Sequence, residues 1–208
     1  MATETGFDGS CWFGVKPELK AKNPLVNLPY ILDGDVLVSQ SNACLIYLGK
    51  KIGLFGATPA EELACYETIC EVFDLRNKMV GFTYSGASDV KEAGEKLITE
   101  ISGTNSAFAK LQLMLEVNKA GNGTFLVGSA ATPADFHLFE MVEQYSALAA
   151  FIGQPEWLET TFPGLKAFFD KFKALPANAA YFASSLYKLP FNAKMVRTVL
   201  VSDLLPRN

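Results

Sequence analysis

The stretch Asn27-Leu28-Pro29-Tyr30-Ile31-Leu32-Asp33-Gly34-Asp35-Val36-Leu37-Val38-Ser39-Gln40-Ser41-Asn42 decides how the rest of this chain is read. Two apolar runs flank Asp33-Gly34-Asp35, and glycine supplies the positive φ that a tight hairpin turn needs. The stretch therefore predicts strand, turn, strand. Pro29 cannot donate to a ladder, so it belongs at the start of the first strand or in a turn. After the second strand, the polar Gln40-Ser41-Asn42 leads into a helix over Ala43–Lys51. Backbone around Leu28 is left out of the ladder, and Gln40-Ser41 lie where a helix opens. Free N–H groups and a positive partial charge at such a place suit a carboxylate. Ser41 reads two ways, as a plain N-cap or as part of an anion site.

Asn-Leu-Pro-Tyr, an Asp-Gly turn and Gln-Ser-Asn-Ala at the helix start together resemble the glutathione-site unit of cytosolic glutathione transferases, the Mu class most closely. The resemblance runs from about Trp12 to Phe191. It implies an α+β fold, with an incomplete thioredoxin-like domain over residues 1–55 and an all-helical C-terminal domain over residues 56–208. By the same resemblance Asn27 opens the motif, and Leu28, preceding a cis Pro29, binds the cysteinyl backbone of glutathione. Gln40 and Ser41 hold its γ-glutamyl carboxylate. Trp12 and Lys16 match the spacing of a Mu-class pair that contacts the glycyl carboxylate, although the segment from there to Asn27 is slightly longer than in the family. On residues alone, Trp12 is a hydrophobic plug. Asp74 resembles the acid that reaches across a dimer to the α-amino group of glutathione, and Tyr84 resembles a tyrosine of the electrophile pocket. Read without the family, Asp74 is a solvated or ion-paired helix carboxylate. Leu25 or Val26 would be the apolar key that locks into a partner subunit.

Composition narrows the classes. Of 208 residues half are apolar, and 18 basic against 22 acidic residues leave a net charge of −4. No basic stripe is present, which excludes nucleic acid as an expected partner. The longest apolar runs, such as Ala147–Gly153, fall well short of the roughly 20 residues of a membrane span. Met1–Ser10 lacks the charged-then-apolar pattern of a signal peptide, so a cytoplasmic location is expected. Cys11, Cys44, Cys65 and Cys70 form no C-x-x-C pair, and the last three read as buried thiols. His137 stands alone between Phe136 and Leu138, without the cluster a metal needs. Glutathione is thus the only small-molecule ligand implied, and no metal is.

Along the chain, Met1–Asn23 reads as irregular. Gly53-Leu54-Phe55-Gly56-Ala57 is a linker. Thr58 caps and Pro59 starts a helix running to about Tyr84, with an apolar stripe at Leu63, Tyr66, Ile69, Cys70 and Phe73. Asp89–Lys119 is helical with an interruption at Gly103-Thr104. Thr132-Pro133-Ala134-Asp135 is a capping box for a helix over His137–Phe151. It also resembles a helix-capping motif of the family that serves folding rather than chemistry. Phe162–Phe172 reads as a proline-started amphipathic helix, Ala177–Ser185 as a short helix, and Leu186–Asn208 as a tail over the domain.

In the family, the first strand ends in a Tyr, Ser or Cys that donates to the glutathione sulfur and stabilises its thiolate. No matching strand-helix-strand segment precedes Trp12, and neither Tyr30 nor Tyr84 fits that role by pattern. The catalytic residue is therefore unknown from sequence, with Ser10, Cys11 or a backbone N–H as local substitutes. A sheet without that strand also has an open edge that something must cover. Two functions follow: a protein that binds glutathione and conjugates it to electrophiles, or a catalytically impaired member serving as a structural or interaction subunit. A truncated product of a normal enzyme is a third reading. The resemblance implies a homodimer or another protein partner.

Overall fold

The computed structural model describes residues 2–3, 6–189 and 191; the expected tail falls largely outside them. Two short strands, β1 (Ala2–Thr3) and β2 (Gly6–Phe7), pair antiparallel. They are followed by α1 (Ser10–Phe13) and α2 (Lys16–Lys22). Much of the segment expected to be irregular is thus helical. Its signals are modest: Pro17 in the first turn with Glu18, then Lys20 and Lys22 in the last, each at the end of the helix dipole that favours it.

The hairpin forms as predicted, from β3 (Tyr30–Asp33) and β4 (Val36–Ser39), with Tyr30 opposite Ser39 and Asp33 opposite Val36. The two-residue loop is Gly34-Asp35, and Gly34 has φ 59° while Asp35 does not enter positive φ. Glycine at the first loop position is the type II′ pattern, whose twist matches that of paired strands. Helix α3 (Ser41–Lys51) starts two residues earlier than expected. It is tied to the sheet through Asp33, which accepts from the Tyr47 hydroxyl at 2.6 Å and pairs with Lys51.

The remainder is helical: α4 (Pro59–Thr83), α5 (Val90–Ile101), α6 (Ala107–Val117), α7 (Pro133–Phe151), α8 (Trp157–Thr161), α9 (Pro163–Lys173) and α10 (Ala179–Ala183). The chain is therefore α+β with helices dominating. Helix α7 packs against α3, α4, α5, α8 and α9 and forms the centre of the core. Its Tyr145 is fully buried, donates to the Leu75 carbonyl at 2.8 Å, and meets Phe108 edge-on. A smaller group, Leu19, Val26 and Cys44, is buried around the hairpin outside that main cluster.

Helix α4 corrects one expectation. Its buried face is Cys65, Ile69, Val72, Leu75, Met79 and Phe82, whereas Leu63, Tyr66 and Cys70 lie exposed and Phe73 half-buried. The sequence carries two apolar stripes at helical spacing, and only contact with α5, α6 and α7 decides which turns inward. Cys70 is accordingly no buried thiol, while Cys44 and Cys65 are.

The capping box starts α7. The Asp135 carboxylate, fully buried, accepts from the Thr132 N–H at 2.7 Å, the Thr132 hydroxyl at 2.8 Å and the Leu126 N–H at 2.7 Å. Burial pushes its carboxyl up to about 6, against those donors, which favour the charged form. Next to the box, Pro133 seats against α3: a Cβ added at Gly49 would come within 2.5 Å of the Pro133 Cγ. His137, one turn in, is held near a pKa of about 4 by burial and by Arg76, and its Nδ1 has no hydrogen-bond partner.

Two outcomes test this packing. Asp135→Ala should destabilise the fold by about 1–3 kcal/mol for each of the two backbone N–H groups it orphans. Urea unfolding midpoints check it, and an unchanged midpoint would show that the helix start holds without the carboxylate. The folded His137 titrates below its ordinary value of 6.5. Its contribution is thus present above about pH 6.5 and lost as pH falls toward 4. Relative to His137→Gln, the wild type should gain roughly 3 kcal/mol between pH 4 and pH 7. The paired comparison isolates His137 from Asp135, whose ionisation runs in the opposite sense.

Candidate functional site

The loop Asn23–Pro29 carries no ladder bonds and is held by side chains. Asn23 Oδ1 accepts from the Leu25 N–H at 3.0 Å, and its Nδ2 donates to the Leu37 carbonyl at 3.4 Å. Val26 plugs into the interior at 1% exposure, which turns Leu25 outward at 69%. Of the two expected keys, Leu25 is the one available to another surface.

The Leu28–Pro29 peptide bond is cis. The ladder begins only at Tyr30, so among the described residues the Leu28 N–H and carbonyl take no hydrogen bond, and Leu28 is 59% exposed. Behind this turn the Cys44 sulfur lies 3.8 Å from both the Pro29 and Val38 carbonyls, and burial raises its thiol pKa.

Across the hairpin, Gln40 has φ 77° and ψ 131°, a conformation that costs a residue with a Cβ on the order of 1–3 kcal/mol. Gln40 occupies the N-cap position of α3 and Ser41 is its first helical residue, so Ser41 is not the cap. Gln40 makes no capping hydrogen bond with its side chain. The first N–H groups of α3 are therefore left for an outside acceptor. Continuing the register from Tyr30–Ser39 brings Pro29 opposite Gln40. The open Leu28 backbone and the uncapped α3 terminus thus share one end of the hairpin.

Trp12 joins them by stacking on Tyr30 at 5.8 Å, and Lys16 Nζ stands 5.3 Å from the Trp12 ring centroid. Ser10 and Cys11 are exposed at the start of α1, directly before Trp12. Asn27 is exposed within the loop. The structure thus places Leu28, Pro29, Gln40 and Ser41 at one end of the hairpin, with Asn27 preceding them, Trp12 stacked on Tyr30 and Lys16 beside Trp12.

Asp74 lies on α4 and Tyr84 at its C-terminal end. Asp74 is exposed on α4, on the wall of an open cleft of about 460 Å³. Glu71–Lys110, at 2.9 Å, and Lys78–Glu100 pair along the same cleft. Tyr84 is the C-cap of α4 and is 53% exposed. Among the described residues no group of His, Cys, Asp and Glu has the makings of a metal site, and no helix is long and apolar enough to cross a membrane.

Sequence reasoning overlooked Ser39. Ser39 carried a usable signal: strand periodicity puts it on the same face as Leu37, an inward position where a hydroxyl needs partners.

Residues 73–185 match the family described as "Glutathione S-transferase, C-terminal domain". The chain is 32% identical over 192 residues to glutathione S-transferase Mu 3 of Homo sapiens and 31% identical to that of Macaca fuscata fuscata, in both cases over 92% of this chain and 77% of the relative. Among solved structures, the Pi-class glutathione S-transferase of Onchocerca volvulus superposes with a TM-score of 0.67 at 26% identity, over 87% of this chain and 83% of that one.

The backbone at Gln40 gives this site a test that needs no ligand. Gln40→Gly should raise the unfolding free energy by about 1 kcal/mol, the relief of positive φ outweighing the added freedom of the unfolded chain. A loss of stability in the same urea titration would show that the glutamine side chain holds the helix start.

Proposed function

Because this chain belongs to the glutathione transferase family and is Mu-like within it, we propose that it binds glutathione at the hairpin end and conjugates it to electrophiles. One observation carries the reading: an unpaired backbone donor and acceptor at Leu28 beside an uncapped helix N-terminus at Gln40-Ser41. A tripeptide with a carboxylate near one end matches that pair. Its cysteinyl N–H and carbonyl pair with Leu28 in antiparallel fashion, held in place by Pro29 and Asn27. Its γ-glutamyl carboxylate takes the N–H groups and hydroxyl at Ser41, with the Gln40 amide beside it. The glycyl carboxylate faces Lys16 and the Trp12 indole N–H. Asp74 reaches the α-amino group of glutathione on a partner subunit, with Leu25 as the contact that locks two copies together. Tyr84 lines the pocket for the electrophile.

In conjugation, the glutathione thiol loses its proton, sulfur bonds to the electrophilic carbon and the leaving group departs with its electron pair. A donor to the thiolate lowers that barrier. In this reading the donor comes from the segment before Trp12, with Ser10 and Cys11 as the side chains at hand. The division into residues 1–55 and 56–208 is part of the same proposal, supported by the separate small core around the hairpin. So is a cytoplasmic location, with no nucleic-acid partner.

One observation favours the second reading, an impaired member acting as a structural or interaction subunit. Among the described residues β3 pairs with β4 alone, which leaves its other edge open to another chain. The family fold is common to both readings.

The double variant Gln40→Ala, Ser41→Ala should lose retention on immobilised glutathione. Equal retention of variant and wild type would sink the binding assignment. Conjugation of an aryl halide, measured on the same preparations, separates the readings. Turnover with binding makes an enzyme, whereas binding with a rate lower by roughly 10²–10³ makes the impaired form.

A further inference from the structure

We infer that Ser39 is a positioning residue for the glutathione site, its hydroxyl fixing the backbone of Leu25 to Leu28 in register with the start of α3. The inference rests on the reading that this end of the hairpin binds glutathione, and it names the group that gives that end its shape.

The segment Asn23–Pro29 has to be rigid to present the Leu28 N–H and carbonyl, yet it belongs to no strand. Ser39 supplies what a ladder would. Its Oγ accepts from the Asn27 N–H at 3.1 Å, and its proton is directed toward the carbonyls of Leu25 at 3.2 Å and Asn27 at 3.3 Å. Ser39 is 7% exposed, so water does not replace these bonds readily. Ser39 is also the last residue of β4, opposite Tyr30 and directly before Gln40. One hydroxyl thus joins both parts of the site. Upstream it holds Asn27, which precedes the open backbone of Leu28; downstream its own backbone leads into the positive-φ turn at Gln40 and the uncapped N–H groups beyond. Through the Leu25 carbonyl it also holds the residue whose side chain points outward. No other side chain among the described residues bonds to the Leu25–Leu28 carbonyls or to the Asn27 N–H; the Asn23 side chain reaches the Leu25 N–H and the Leu37 carbonyl.

The experiment compares wild type, Ser39→Ala and Ser39→Thr, with Gln40→Ala, Ser41→Ala as the control. Glutathione binding is measured by calorimetry and backbone amide exchange by mass spectrometry. Ser39→Ala should weaken glutathione binding about tenfold, the size expected for one buried hydrogen-bond anchor. It should speed exchange at Asn27 while leaving exchange within α7 unchanged. Ser39→Thr keeps the hydroxyl and should restore both. If wild type binds, the control variant does not, and Ser39→Ala binds like wild type, the positioning role is overturned while the glutathione reading stands. If wild type fails to bind glutathione, that reading falls. Exchange at Asn27 then decides for Ser39: unchanged exchange in Ser39→Ala overturns the inference, and faster exchange, reversed by Ser39→Thr, upholds its control of the loop.

Discussion

A buried carboxylate organises this molecule. Asp135 gathers the N–H of Leu126 and both the N–H and hydroxyl of Thr132 into one fully buried site. That does two things at once. It begins α7, the helix that touches α3, α4, α5, α8 and α9, and it pins the preceding loop over the core. An ionised group is costly to bury, and here three short donors offset part of that cost. The surrounding apolar packing is dense but forgiving. The carboxylate is specific, because no apolar side chain can accept from those donors.

The hairpin end is built on a different plan. Where the helical core relies on area, the loop before Pro29 relies on single side chains standing in for a strand partner: Asn23, Ser39 and the thiol of Cys44. This leaves backbone groups free for a ligand at the price of a fold with little redundancy. The strain at Gln40 belongs to the same plan, since a residue in a sparsely populated region of φ and ψ persists only where its surroundings hold it there.

What was legible in the sequence is what local chemistry dictates. Gly34 between two apolar runs gave the hairpin, Thr58-Pro59 gave the start of α4, and Thr132 with Asp135 gave that of α7. Trp12 and Lys16 entered through the family resemblance alone, and the fold stacks Trp12 on Tyr30 with Lys16 beside its ring. What stayed hidden depends on neighbours distant in sequence. Helix α2 buries only Leu19, too little to leave a periodic stripe. On α4 two stripes compete, and only packing exposes Cys70 and Leu63 in place of Cys65 and Val72. Leu25 and Val26 are equivalent on paper, and a turn held by Asn23 sends one out and the other in. Asp74 lies on α4 and Tyr84 at its C-terminal end, and what either of them meets is set by packing that no spacing rule contains.

The seat of Gly49 on Pro133 sets how closely α3 approaches the start of α7. A bare backbone meets a closed ring there, with no space for a Cβ. Beside that contact an apolar hollow of about 190 Å³ lies between Leu48, Ile52, Leu54 and Phe136. Any residue larger than glycine at position 49 would have to push the two helices apart, and the hairpin that α3 is tied to would be carried with it.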